Sequence, residues 1–250
     1  MYTRRLWIWR GGREVHIPEF PADLPLPSRD DVLGQAVPFD RQRWLSRIPD
    51  TTWWPAELDA CPRVGRWQRV DRRTVLGMAD GVDTVEGRRH LLVATLVWGA
   101  GTRAQSVDRR GQIFVNTSTA HIDVRLTSVL TVLREKGAVA AYYACNNDQR
   151  IAYLGPAFFT KFLYFAGHEN PTSHRRPLIL DSVVSRALRN RKAVAEDWPF
   201  NGWTTKRYAH YLDTVHEQAE SVGVMPDVVE AAWFAHGKRL SRPGAEPSSD

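Results

Sequence analysis

Two residues of this chain combine reactive chemistry with a position that calls for an explanation: Lys161 and Asp181. Both lie in residues 151–191, IAYLGPAFFTKFLYFAGHENPTSHRRPLILDSVVSRALRNR. Phe158, Phe159, Phe162, Leu163, Phe165 and Ala166 fall on every side of a helical wheel, so the spacing predicts a helix buried nearly all round. Lys161 sits in the middle of it. Desolvation favours the neutral amine, and a neutral amine is a nucleophile able to form a Schiff base. Only five of the 34 basic residues are lysines (Lys136, Lys161, Lys192, Lys206, Lys238), so arginine serves almost wherever a plain charge suffices. Arginine cannot lose its proton to act as an amine nucleophile, which singles out the lysine placed among phenylalanines. Asp181 precedes Ser182-Val183-Val184 and reads as the N-cap of the next helix, where its carboxylate can also face a reaction centre. The plainer alternative has Lys161 paired with a structural carboxylate and Asp181 serving as a cap alone.

The elements that must hold these residues are mostly helical in pattern. The lysine helix is expected to stop at Ala166-Gly167. A loop with His168, Pro171, His174, Arg175, Arg176 and Pro177 then leads to an apolar stretch from Leu178. Upstream, residues 1–27 read as an extended arm with a short strand around Leu6, Trp7, Ile8 and Trp9, followed by a proline-rich run. Residues 28–47 suggest short helical pieces broken at Pro38, and Trp53-Trp54 are expected as core anchors. A helix is predicted from Asp71 over residues 70–79. A central apolar helix over 88–98 is expected to end at Gly99-Ala100-Gly101. Residues 122–135 form an amphipathic pattern stopping near Gly137, and residues 138–144 carry a further helix with small residues. After the helix that starts beyond Asp181 comes an aromatic loop, Trp198-Pro199-Phe200-Asn201-Gly202-Trp203. Thr204 or Thr205 caps a helix with Tyr208, Tyr211, Leu212 and Val215. Pro226 opens the last helix, which carries Trp233 and Phe234 and is expected to end at Gly237, before a frayed tail from Arg242.

Composition narrows the classes. A net charge of +6 and a pI near 9.6 permit a polyanionic partner without requiring one. Two cysteines, Cys61 and Cys145, cannot supply a four-cysteine iron–sulfur cluster or a disulfide framework. There is no zinc spacing, P-loop, dinucleotide fingerprint or metalloprotease helix, and the eight histidines form no obvious ligand pair. No apolar run reaches membrane-spanning length, and the first residues lack a signal peptide's apolar core. A cytoplasmic, monomeric protein without cofactor, metal or iron–sulfur cluster is the expectation.

A turn, a buried lysine, a loop, and an aspartate capping a helix with Arg186 five residues on resemble the helix-hairpin-helix DNA glycosylases. The likeness is strongest to the divergent bacterial proteins of the 8-oxoguanine DNA glycosylase fold. The twenty positions between Lys161 and Asp181 are similar to that family's spacing. The resemblance implies that Lys161 attacks the sugar of a flipped-out nucleotide, and that Asp181 stabilises the developing positive sugar or assists proton transfer. Leu154-Gly155-Pro156-Ala157-Phe158-Phe159-Thr160 departs from the family's Leu-Pro-Gly-Val-Gly, with Ala157 and Phe159 where two glycines would stand. The implied hairpin contacts to DNA therefore fall on Gly155, Ala157 and Phe159, and Arg186 joins them. LLVATLVWGAGTRAQSV resembles the family's helix and gap-filling loop, which implies minor-groove roles for Arg103 and Gln105.

The implied architecture is mainly α, two-lobed, with the active site in the inter-lobe cleft. Residues 1–84 would form an N-terminal arm and part of one lobe, residues 85–177 the lobe with the hairpin, and residues 178–250 helices completing the first. Trp203, Tyr208, Tyr211 and Phe234 are the aromatics proposed to stack on the flipped base. The implied activity is excision of a modified base from double-stranded DNA, with or without strand scission at the abasic site. The base would be an oxidised purine such as 8-oxoguanine, or a bulky cytosine such as the glucosylated hydroxymethylcytosine of phage DNA, so the role would be repair or anti-phage defence. A non-catalytic helix-hairpin-helix DNA-binding module is the alternative, and a helical scaffold without nucleic acid is a third.

Overall fold

A computed structural model describes residues 6–10, 13–168 and 175–241. In chain order it opens with a hairpin of β1 (Leu6–Arg10) and β2 (Arg13–Ile17), paired antiparallel with Leu6 opposite Ile17. Next come α1 (Arg29–Leu33), β3 (Val37–Phe39), α2 (Arg41–Leu45), α3 (Ala56–Asp59), β4 (Arg63–Val64), β5 (Trp67–Val70) and α4 (Arg72–Gly77). The long helices follow: α5 (Val85–Ala100), α6 (Ala104–Asn116), α7 (Thr119–Asn146), α8 (Pro156–Gly167), α9 (Ser182–Asn190), α10 (Thr205–Val222) and α11 (Pro226–Leu240). The chain is mainly helical, as its patterning predicts. Contacts divide it into two compact units, one of residues 1–32 and 180–250, the other of residues 33–179.

In the unit of residues 33–179, α5 is the hub, with α4, α6, α7, α8 and β3 against it. Its residues from Leu91 to Trp98 are all buried, as a helix apolar all round requires. Thr84 accepts from the Gly87 N–H at 2.9 Å to start the helix, and Gly101 ends it at φ +64°, a conformation open to glycine without strain. A three-stranded antiparallel sheet in the order β3-β5-β4 flanks this core, with Val37 opposite Val70 and Val64 opposite Trp67. Trp53 and Trp54 are buried, which matches the anchoring role read from the sequence. Pro38, expected as a break between helices, lies inside β3 instead. The two helices expected on either side of Gly137 do form, joined through that residue at φ +79° within α7. α6, by contrast, has no counterpart among the expected elements.

In the other unit α9, α10 and α11 pack together. Trp233 meets the edge of the Phe20 ring at 5.8 Å and donates to Gln218 Oε1 at 2.9 Å, while Gln218 donates to the Pro18 carbonyl at 3.0 Å. Arg29 pairs with the buried Asp227. Thr204 caps α10 and Pro226 opens α11, both as expected. Gly237 does not end α11. It lies within the helix where α9 crosses, and a Cβ there would stand 2.1 Å from the Val183 carbonyl oxygen. Pro171, His174 and the tail from Arg242 fall outside the described residues.

Candidate active site around Lys161

Lys161 is 6% exposed, whereas the other four lysines are exposed. α8 begins with Gly155 in extended backbone and Pro156 at the first helical position, where its missing N–H costs nothing. Thr160 donates to the Pro156 carbonyl at 2.7 Å, and Lys161 Nζ donates to the Ala157 carbonyl at 2.8 Å, one turn back along α8. Long side chains on helices lean toward the N-terminus. The stem of Lys161 is therefore buried while its amine lies beside the first turn of α8, where Gly155 is exposed and Ala157 and Phe158 are half-buried. The Phe158 ring lies 5.6 Å from Nζ. Behind the stem stands Gly99 of α5, whose lack of a side chain lets the two helices close: a Cβ there would stand 2.7 Å from Phe158 Cε1 and 3.1 Å from Lys161 Cδ. Below, Phe159 meets Tyr142 at 4.9 Å and Phe165 meets Trp98 at 5.4 Å, which fixes α8 against α7 and α5.

Arg110 of α6 stacks on the same phenylalanine, its guanidinium carbon 4.3 Å from the Phe158 centroid. It is 7% exposed, and its Nε has no hydrogen-bond partner among the described residues. Burial, with a smaller push from Arg109, lowers its pKa to about 10, and no described carboxylate offsets that. The guanidinium nevertheless stays charged at neutral pH. Sequence reasoning missed this residue because α6 was not anticipated, although Val107, Arg110, Gly111 and Ile113 recur at helical spacing and are all buried.

The other residues singled out in the sequence fall as follows. Arg103 is the exposed N-cap of α6, and Gln105 lies in that helix's exposed first turn rather than in a loop. Phe159 is buried, and its N–H donates to the Gly155 carbonyl at 3.0 Å, so neither its ring nor its amide is open to a ligand. Gly155 is exposed, with nothing within 4 Å of an added Cβ. In the other unit, Asp181 caps α9: its Oδ1 accepts from the N–H groups of Val183 at 3.0 Å and Val184 at 3.1 Å, and the side chain is half-buried. Arg186 donates to Ser241 Oγ, and together with Arg189 it lies over the exposed ring of Phe200. Trp203, Tyr208 and Tyr211 are at most 1% exposed and leave no ring face open, while Phe234 is half-buried. Among the described residues no three His, Cys, Asp or Glu side chains cluster to hold a metal, and no helix is long and apolar enough to cross a membrane.

Fold and site together define a helical protein with a lysine enclosed by an apolar helix, its amine turned toward that helix's first turn. Comparison with protein families makes the assignment specific. The chain belongs to the family described as "Putative 8-oxoguanine DNA glycosylase OGG-like protein", whose model matches residues 30–234 and thus spans both α8 and the Asp181 cap. No curated protein and no solved structure matches it.

Proposed function

We propose that this protein is a DNA glycosylase that extrudes and excises a modified base, with Lys161 as the nucleophile. The observation that carries the reading is the singular burial of Lys161 in a chain of this family, with its amine beside the half-buried first turn of α8, next to the exposed Gly155. A glycosidic bond inside a base stack is out of reach, so the nucleotide must be flipped first. The deprotonated amine then attacks C1′ as the bond to the base breaks, and the base leaves with the electron pair and takes up a proton. The sugar ring opens at the C1′–O4′ bond, O4′ takes up a proton, and the amine loses its own to give a Schiff base. Asp181 offers a carboxylate whose Oδ1 is anchored by two backbone N–H groups, suited to stabilising positive charge on the sugar or to taking a proton. The family description favours an oxidised purine such as 8-oxoguanine as substrate.

Borohydride trapping tests the nucleophile. The parent is expected to become covalently joined to duplex DNA carrying its target base, and Lys161→Gln is expected to lose both trapping and excision while keeping its melting temperature within a few degrees. Undiminished excision by Lys161→Gln overturns the assignment. A panel of duplexes with 8-oxoguanine, uracil, alkyladenine and glucosylated hydroxymethylcytosine identifies the base. Activity confined to the last of these replaces repair by defence against modified phage DNA.

A further inference from the structure

We infer that Arg110 is a phosphate-binding residue of the Lys161 site, holding a backbone phosphate of the DNA strand that carries the nucleotide under attack. This rests on the reading of Lys161 as the glycosylase nucleophile. Three observations carry it. First, Arg110 is a buried guanidinium with no hydrogen bond to its Nε and no facing carboxylate among the described residues, and a desolvated charge is costly unless an anion meets it. The stacking on Phe158 recovers only part of that cost, since a ring quadrupole is a weaker partner than an oxyanion. Second, Phe158 is shared: Arg110 lies 4.3 Å from its centroid and Lys161 Nζ 5.6 Å. The Arg110 guanidinium carbon and Lys161 Nζ are therefore no more than about 10 Å apart, a span that one strand's sugar C1′ and a neighbouring phosphate can bridge. Third, Arg103 and Gln105 at the head of α6 and Arg109 beside Arg110 are exposed, so the same helix presents further donors to a polyanionic strand. The planar fork suits phosphate better than a lysine would, and Phe158 holds its plane before DNA arrives.

A role in folding and a role in binding predict opposite signs. If Arg110 only packs, Arg110→Met lowers the melting temperature of the free protein. If it awaits a phosphate, removing the uncompensated charge leaves that temperature unchanged or higher, while binding weakens. The probe is a duplex with a tetrahydrofuran abasic site, which needs no knowledge of the target base, in versions bearing one neutral methylphosphonate at each linkage around the site. The expected results are roughly tenfold weaker binding by Arg110→Met at low salt, and a log–log salt slope smaller by about 0.9. At one linkage the methylphosphonate should weaken the parent about tenfold and leave Arg110→Met unaffected. The inference is overturned if Arg110→Met binds with the parent's affinity and salt slope, or if every methylphosphonate costs parent and variant equally. Excision without such coupling sinks the Arg110 role alone. Coupling without trapping sinks the nucleophile reading alone. No binding of the parent to the duplex sinks both.

Discussion

Gly99 of α5 and Lys161 of α8 touch so closely that a methyl group on Gly99 would stand 3.1 Å from Lys161 Cδ. The catalytic reading thus acquires a second dependence, on the absence of a side chain across from the lysine. In Gly99→Ala the half-buried Phe158 ring and the lysine stem must both shift. Overpacking of this kind costs ~1–3 kcal/mol, against ~1 kcal/mol gained from helix propensity, so the net loss of stability is at most ~2 kcal/mol. Placement of the amine suffers more, because a shift of about 1 Å can slow a reaction ~10²-fold. Single-turnover excision beside thermal melting checks this, and full-speed excision by a folded Gly99→Ala shows that the contact does not position the lysine.

Asp181→Asn separates capping from chemistry. Asparagine is a good N-cap, so the loss of stability should stay below ~1 kcal/mol. An amide supplies neither charge nor a proton acceptor, so excision should slow by ~10²-fold or more. Denaturant midpoint and excision rate, measured on one preparation, give the answer. Parent-like excision returns Asp181 to a capping role alone.

Gly237→Ala should destabilise where a simple propensity scale expects a gain. The new Cβ would sit 2.1 Å from the Val183 carbonyl oxygen, a backbone atom that no rotamer change can move. Parting α9 from α11 costs on the order of 3 kcal/mol, which outweighs ~1 kcal/mol of propensity. A clear fall in the urea midpoint is expected, and a midpoint at or above the parent's refutes the close crossing.

Stability should also fall between pH 7.5 and 5.5. Burial pushes the pKa of His210 down, against Asp213, and burial with Arg191 and Arg239 pushes that of His236 down, against Asp23. The unfolded chain takes up protons near pH ~6.5 while the native chain resists them. The stability tied to these neutral rings is therefore complete above that pH and lost as pH falls through the depressed native values. Urea midpoints at the two pH values measure the slope, which the double variant His210→Asn, His236→Asn should flatten. A parent midpoint that does not move with pH over this range contradicts the prediction.

Much of the helical framework was legible in local patterning. The all-round apolar runs of α5 and α8 had to be buried, and Asp71, Asp181 and Thr204 cap helices because their side-chain oxygens meet N–H groups two or three residues on. Such signals act within one or two turns, so a linear reading finds them. Gly137 was legible for the same reason, as a positive φ is a local demand. α6 was missed because its apolar face is interrupted by Arg110 and Gly111, which meet partners distant in sequence: the Phe158 ring for one and the Arg47 side chain for the other.

The same division holds at the site. That Lys161 would be enclosed followed from the phenylalanines around it, since a helix apolar on all sides has no wet face. Where its amine points, which glycine makes room for its stem and which arginine shares its phenylalanine were decided by the packing of α5, α6 and α8. Residues 99, 110 and 161 come together only when those helices close on one another. The roles of Gly99 and Gly237 reverse between the two descriptions for the same reason. A glycine in a sequence signals a stop, whereas against a neighbouring helix it becomes the point of closest approach, and only the neighbour's position tells the two apart.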